Sequence, residues 1–292
     1  MKSNIKYSLL LLLGAFIWGV AFVAQSAGMD YLGPFSFNGV RNFMGSIVLL
    51  PLIFIRDKKE GVETPWNDKK LWIGGIVCGI FLFLASSTQQ IGLIDTAAGK
   101  AGFITALYIV LVPVFSLFLK KKPAKTVWIS VALGVVGLYF LCIDGSVSIQ
   151  AGDLWLFACA VLFAFQILAC AKFAPDKDPL KLSCIQFFVV GVLSLVPMIM
   201  EKPAMSNFVD CAIPILYAGI FSSGVAYTLQ MVGQRHIKPS IASLLMSFES
   251  VFSVLAGFVI LHETLTLREM IGCVAMFAAV IIAQIVPSKE EK

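Results

Sequence analysis

Gln89-Gln90-Ile91-Gly92 and Gln230-Met231-Val232-Gly233 carry the same Gln-x-x-Gly stretch 141 positions apart. The match extends outward from there. At that shift Ala101 falls opposite Ala242 and Val110 opposite Val251; at 146, once the longer loop after Ile55 is absorbed, Gly45 pairs with Gly191 and Pro51 with Pro197. Trp18-Gly19 faces Phe163-Ala164 at 145, and Lys121 faces Glu263 at 142. Gly, Ala and Val are common residues, so no single pairing is specific. Their shared order reads as one unit written twice.

Composition decides the solvent. With 59% hydrophobic residues, 13% charged residues and a mean hydropathy of +0.92, 292 residues carry too little polar surface to coat a soluble globule. Apolar runs of about 20 residues, enough to cross about 30 Å of hydrocarbon, recur between charged or Pro/Gly-rich breaks. They predict ten helices, at residues 6–26, 36–55, 71–93, 97–118, 127–143, 152–173, 180–200, 211–233, 240–261 and 267–286. The runs do not alternate apolar with polar residues as the strands of a membrane barrel would. The expected fold is an all-α membrane protein of ten transmembrane helices in two five-helix repeats, residues 1–145 and 150–287, with a cytoplasmic tail at 288–292.

The first run resembles a secretory signal, with Lys2 and Lys6 before Leu9 to Leu13 and small residues at Ala24, Ser26 and Ala27. Charge placement argues that it stays as the first helix. With both termini cytoplasmic, 18 of the 22 Lys and Arg fall on the inner side, Lys202 and Arg268 fall outside, and Arg41 and Lys100 lie within the membrane. Five spans per unit is an odd number, so the second unit enters the bilayer upside down: the repeats are inverted. The net charge of +5 then reflects orientation in a lipid bilayer and gives no reason to invoke nucleic acid.

Particular residues connect this pattern to a known family. Trp18-Gly19, Asn38-Gly39-Val40-Arg41-Asn42-Phe43, Val112-Pro113-Val114-Phe115, Glu249-Ser250-Val251-Phe252 and Leu261-His262-Glu263 together resemble EamA-type domains of the drug/metabolite transporter superfamily. The departures are Ser250 in place of Pro, His262 in place of Gly and Lys121 in place of Glu. The resemblance implies ten helices around a central cavity, and transport of a small metabolite such as an amino acid or related compound across the plasma membrane by alternating access.

An ionisable side chain at membrane depth is costly unless it meets a cavity or a partner, and Arg41, Lys100 and Glu249 qualify. Glu249 lies near the predicted midplane, opposite Tyr108 in the repeat register, where inverted-repeat carriers place their sites. Burial opposes the charge of a carboxylate, which makes Glu249 the candidate for proton coupling; alternatively it is a neutral acid that only joins helices. Lys100 either offers a cation to an anionic substrate or snorkels to the outer surface. Arg41 is expected to be a structural anchor, pairing with Asp95 or capping carbonyls.

Gln89, Gln90, Gln166 and Gln230 lie inside predicted helices and should point inward, because an unpaired amide is costly in hydrocarbon. Trp18, Tyr108, Tyr227 and Phe163 could wall a substrate. The substrate-binding candidates are thus Trp18, Gln89, Lys100, Tyr108, Gln166, Tyr227 and Gln230. Gly75-x-x-x-Gly79 and the Gly134, Gly137 pair suit either tight bundle packing or the face of a homodimer.

Enzymatic readings find little support. His236 and His262 are the two histidines, and His262-Glu263-Thr264-Leu265-Thr266 lacks the second His of a zincin helix. The seven Cys show no C-x-x-C spacing and read as small apolar residues. No phosphate loop is present, and neither metal nor cofactor is expected. A passive channel or facilitator for small solutes is the nearer alternative to a carrier; a polytopic membrane enzyme is more remote.

Overall fold

The computed structural model describes residues 2–96, 98–120, 123–143, 150–260 and 266–285. Lys121, the Leu261-His262-Glu263 helix end and the tail from 288 onward lie outside the described residues. All regular structure within them is helical, with no strand. Seven spans are long and apolar enough to cross a bilayer: Ile5–Met29, Pro34–Glu60, Lys69–Asp95, Lys100–Phe118, Ala151–Asp176, Pro179–Glu201 and Ala212–Gln234. Shorter apolar helices cover Lys125–Leu141 and Pro239–Leu255.

Helices α1 (Lys2–Met29), α2 (Pro34–Glu60) and α3 (Lys69–Asp95) are continuous. The next expected span is split into α4 (Ala98–Ala106) and α5 (Tyr108–Phe118), followed by α6 (Lys125–Cys142). In the second half α7 (Ala151–Phe173) and α8 (Pro179–Glu201) are continuous. A short α9 (Met205–Asp210) leads to α10 (Ala212–Tyr217), a π-helical stretch (Ala218–Tyr227) and α11 (Thr228–Gln234), which together occupy the expected 211–233 span. The span expected at 240–261 is split into α12 (Pro239–Met246) and α13 (Glu249–Ile260), and α14 (Leu267–Ile285) closes the chain.

Helix starts follow local chemistry. Asp68 Oδ1 accepts the Leu71 N–H at 2.9 Å, Asp178 Oδ1 accepts the Leu180 N–H at 3.0 Å, and Pro34, Pro179 and Pro239 occupy first turns, where their missing N–H costs nothing. The two splits fall at equivalent places. In the register of 141, Leu107 corresponds to Phe248, and at both the hydrogen bonding tightens to three residues: Leu107 N–H to Ile104 O at 3.2 Å, Phe248 N–H to Leu245 O at 3.3 Å. At the second, Ser247 Oγ also donates to Leu244 O at 2.8 Å, a back-bond that bends helices.

Packing repeats the duplication. Helix α2 lies against its equivalent α8, and α6 against its equivalent α14. Helix α3 packs on α7 much as the α10–π–α11 span packs on α1, and α1 meets α13 as α7 meets α4 and α5. Exchanging the halves therefore leaves the contact pattern unchanged, as a pseudo-two-fold requires.

Glycines set the closest approaches. A Cβ on Gly75 would lie 2.5 Å from Ile185 Cγ2, and one on Gly79 would lie 2.7 Å from Val189 Cβ, so this pair seats α8 on α3. Gly137 likewise meets the Gly272 carbonyl of α14, at 3.0 Å. Both motifs are used in bundle packing within the chain.

Ion pairs fasten the end of the bundle where α2 finishes and α8 begins. Arg56 forms a two-pronged pair with Asp178 and also reaches Asp57 at 2.7 Å. The fully buried Lys181 ammonium meets Asp57 Oδ2 at 2.6 Å and the Thr64 carbonyl at 2.8 Å. Lys177–Asp68 at 2.7 Å and Arg235–Glu63 at 2.5 Å stand at the same end, and apart from Arg56–Asp57 and Lys181–Asp178, at 4.0 Å, these pairs join one half of the chain to the other. At the opposite end of α2, the Glu201 carboxylate accepts hydrogen bonds from the Phe35 and Ser36 N–H groups and Ser36 Oγ, the favoured place for an anion.

Candidate functional site

Between these two tied ends lies a cavity walled by α1, α2, α3, α5, α7, the π-helical stretch and α11 to α13. Its lining includes Trp18, Gln89, Tyr108, Gln166, Tyr227 and Gln230, six of the seven substrate-binding candidates, together with Glu249, Arg41 and Phe163.

Glu249 and Tyr108 are the first residues after the two helix breaks, because each opens a new helical segment. The Tyr108 hydroxyl donates to Glu249 Oε1 at 3.1 Å. Two residues that the repeat register makes equivalent therefore touch directly, one supplied by each half. Glu249 is 7% exposed, and the cavity is what gives its carboxylate an opening.

Arg41 reaches the same cavity from α2. Its Nη1 donates to Gln25 Oε1 at 2.8 Å and its Nε to Asn38 Oδ1 at 2.9 Å, while Asn38 Nδ2 continues to Ser86 Oγ at 2.7 Å and Ser87 Oγ at 3.2 Å. This network anchors α1, α2 and α3 together. The expected partner, Asp95, is exposed and takes no part, and no carboxylate among the described residues lies within ion-pair distance of Arg41. The cavity thus holds a guanidinium with neutral partners and a carboxyl bound by a phenol.

The glutamines form a chain along the far wall. Gln230 Nε2 donates to Gln166 Oε1 and to Gln234 Oε1, each at 3.0 Å, and Gln234 Nε2 ends on the Ile167 carbonyl at 3.0 Å. Gln230 Oε1, Ser222 Oγ and Trp18 Nε1 are buried without a hydrogen-bond partner in the protein. All three belong to cavity residues, so the wall offers two acceptors, one of them also a donor, and an indole donor to whatever enters. The Trp18 and Tyr227 rings meet edge-on, with centroids 4.7 Å apart, and present an aromatic corner beside these groups.

Lys100 stands elsewhere. Its Nζ lies 2.5 Å from Asp153 Oδ2 at the start of α7, and it is not part of the cavity lining. Neither snorkelling nor a free cation at the mouth describes it; the lysine ties α4 to the second half of the chain. Gln90 also turns away from the cavity, placing Nε2 3.7 Å from Met29 Sδ.

Sequence reasoning missed Phe22, Gln25, Ile167, Ser222 and Met246 in the lining. Gln25 could have been found as a lone amide in an apolar helix. Ser222 gives no such signal, because it faces the cavity through a π-helical stretch of ten residues that widens the turn there. Five described cysteines are buried and Cys273 is half-buried, with Cys170 and Cys78 in thiol contact at 3.8 Å. Among the described residues no cluster of His, Cys, Asp or Glu could hold a metal ion.

Comparison with known proteins agrees with the fold. The family model described as the EamA-like transporter family matches residues 5–143 and again 150–284, once per half. An uncharacterized transporter of Archaeoglobus fulgidus is 31% identical over 94% of this chain and 84% of its own length. The uncharacterized transporter YwfM of Bacillus subtilis is 25% identical over 100% and 97%, and the uncharacterized inner membrane transporter YedA of Escherichia coli 25% identical over 91% and 87%. A solved crystal structure shares the fold at a TM-score of 0.77 and 19% identity, covering 96% of each chain. The chain belongs to the EamA-like transporter family and is a multi-pass membrane transporter.

Proposed function

We propose that this protein is a secondary carrier that moves a small polar or amphipathic metabolite, such as an amino acid or related compound, across the plasma membrane by alternating access. In this reading residues 1–145 and 150–287 are two inverted repeats of five spans each. Both termini are cytoplasmic, so the Arg56–Asp178 end faces inward. Trp18, Gln89, Tyr108, Gln166, Tyr227 and Gln230 contact the substrate, Arg41 anchors the wall they stand on, and Lys100 holds α4 to α7.

One observation carries the proposal: the Tyr108–Glu249 hydrogen bond, at 3.1 Å, joins equivalent positions of the two halves inside the cavity and at the broken point of both helices. Inverted-repeat carriers form their sites from discontinuous helices at the repeat interface. A rocking motion of one half against the other must strain or break this contact. As the cavity opens and the contact breaks, Glu249 Oε1 loses the Tyr108 hydroxyl and can take up a proton in its place, which couples proton movement to substrate movement.

The test is transport in reconstituted vesicles, with the substrate first found by thermal-shift screening of purified protein against a metabolite panel, since a ligand that binds the folded state raises its melting point. Preloaded substrate should accelerate entry of labelled substrate. A passive channel shows no such counterflow, and its absence would refute the carrier. Glu249→Gln should flatten the pH dependence of net uptake while counterflow persists; an unchanged pH profile would remove Glu249 from coupling.

A further inference from the structure

A second concavity lies on the outside of the bundle, away from the transport cavity. It is an open groove between α3, α5 and α7, walled by Val77, Phe81, Phe115, Phe118 and Phe165, with Lys172 at its rim. The Phe115 and Phe165 rings stack with centroids 4.8 Å apart, and Phe118 is 80% exposed. In water such a surface would be a liability; against lipid it is a bed for an acyl chain. The groove runs into a smaller polar recess that shares Ile73, Lys172 and Phe173 with it and adds Lys70, Asp176 and Lys177.

Charge distinguishes this recess from an ordinary lipid-facing surface. Lys177 is already bound to Asp68, at 2.7 Å. Lys70 and Lys172 are exposed, and among the described residues neither has a carboxylate within ion-pair distance. The Lys172 ammonium sits 5.4 Å from the Phe173 ring centroid, between the greasy groove and the polar recess. Asp176 on the same rim offsets part of the positive charge, so the recess matches a singly charged phosphodiester better than a doubly charged phosphate.

We infer that this groove seats one anionic phospholipid, with an acyl chain along the Phe81, Phe115 and Phe165 wall and the phosphodiester at Lys70 and Lys172. The lysines stand at the end of the bundle that positive-inside placement puts at the cytoplasmic leaflet, where basic pockets between helices recruit anionic headgroups.

Native mass spectrometry of the detergent-purified full chain, with added phosphatidylglycerol or phosphatidylcholine of matched chains, tests this. Phosphatidylglycerol should be retained preferentially. Lys70→Ala with Lys172→Ala should weaken that retention about fivefold for each lysine. Lys58→Ala with Lys59→Ala, two exposed lysines of α2 outside the recess, should change nothing. Ile73→Trp, at a 54% exposed position shared by groove and recess, should displace the chain and lower retention with both lysines intact. Equal retention of the two lipids, or an equal loss from the α2 lysines, would overturn the proposal. So would undiminished retention by Ile73→Trp, or displacement of the lipid by glycerol 3-phosphate alone, since either would mean that no acyl chain is seated.

Discussion

Gly19 is where one added methyl group should be felt most. It packs α1 against the first turn of α13, and a Cβ there would lie 2.7 Å from the Glu249 carbonyl, 2.7 Å from Phe252 Cβ and 2.8 Å from the Ser253 nitrogen. Two of these three atoms are backbone and cannot rotate away. Relieving the overlap to ordinary contact requires α1 and α13 to separate by roughly 1 Å, since apolar atoms pack best at about 3.5–4.0 Å. Overpacking of this kind costs about 1–3 kcal/mol, from which about 0.5–1 kcal/mol is recovered because Ala is the better helix former. Gly19→Ala should therefore lose about 1–2 kcal/mol, a fall in melting temperature of roughly 2–8 °C in a chain of this size.

Gly14 provides the control on the same helix. A Cβ there would meet its nearest neighbour, the Ala226 carbonyl, at 3.4 Å, which is ordinary contact. Gly14→Ala should thus leave the melting temperature unchanged or raise it slightly. Thermal unfolding of the two purified variants in one detergent, followed by intrinsic fluorescence, measures the difference. A Gly19→Ala protein that melts with or above the wild type would refute the close approach of α1 and α13, and with it the placement of Trp18 and Glu249 in one cavity.

Arg56→Ala takes the guanidinium from the fully buried Asp178 carboxylate, which keeps the Leu180 and Lys181 N–H donors and the Lys181 ammonium, a loss of about 1.5–3 kcal/mol for hydrogen bonds to a charged group; Arg56→Lys should recover only part, because the two-pronged geometry is gone, and a melting curve like that of wild type would show that the pair contributes little. Partial burial, and then the Arg235 and Lys6 charges, hold the His236 imidazole below its ordinary value of 6.5. Its contribution to stability is therefore complete above pH 6.5 and is lost as the pH falls toward the lowered value; His236→Phe, which keeps the stack on Tyr7, should remove that part of the pH dependence of melting, and an unchanged profile would exclude His236 as its source. Tyr108→Phe removes the hydroxyl 3.1 Å from Glu249 while keeping the ring, and should alter the pH profile of uptake as Glu249→Gln does; a wild-type profile would mean that the contact is only structural.

Much of this was legible in the residues themselves. Twenty-residue apolar runs allow one solvent, and the Gln89/Gln230 register carried over into space because duplicated sequences bury equivalent faces. That register also made Tyr108 the equivalent of Glu249, and the structure adds that the two touch, as only residues near a pseudo-two-fold axis can meet their own equivalents. Lys100 was harder: Asp153 is 53 residues away and in the other half, so nothing local announced the pair. Arg41 was expected to pair with Asp95 or to cap carbonyls, and its guanidinium instead meets the Gln25 and Asn38 side chains, because a sequence does not rank neutral partners against charged ones.

The sequence by itself determined the membrane setting, the helical class, the two-unit organisation and the family, because these depend on composition and on order along the chain. Only the tertiary structure decided where the helices break, that ten residues adopt π-helical turns, which glycines meet which helix, and that Arg41 and Glu249 share a cavity. Each of these depends on distances between segments far apart in sequence, and packing sets those distances only when the whole bundle has formed.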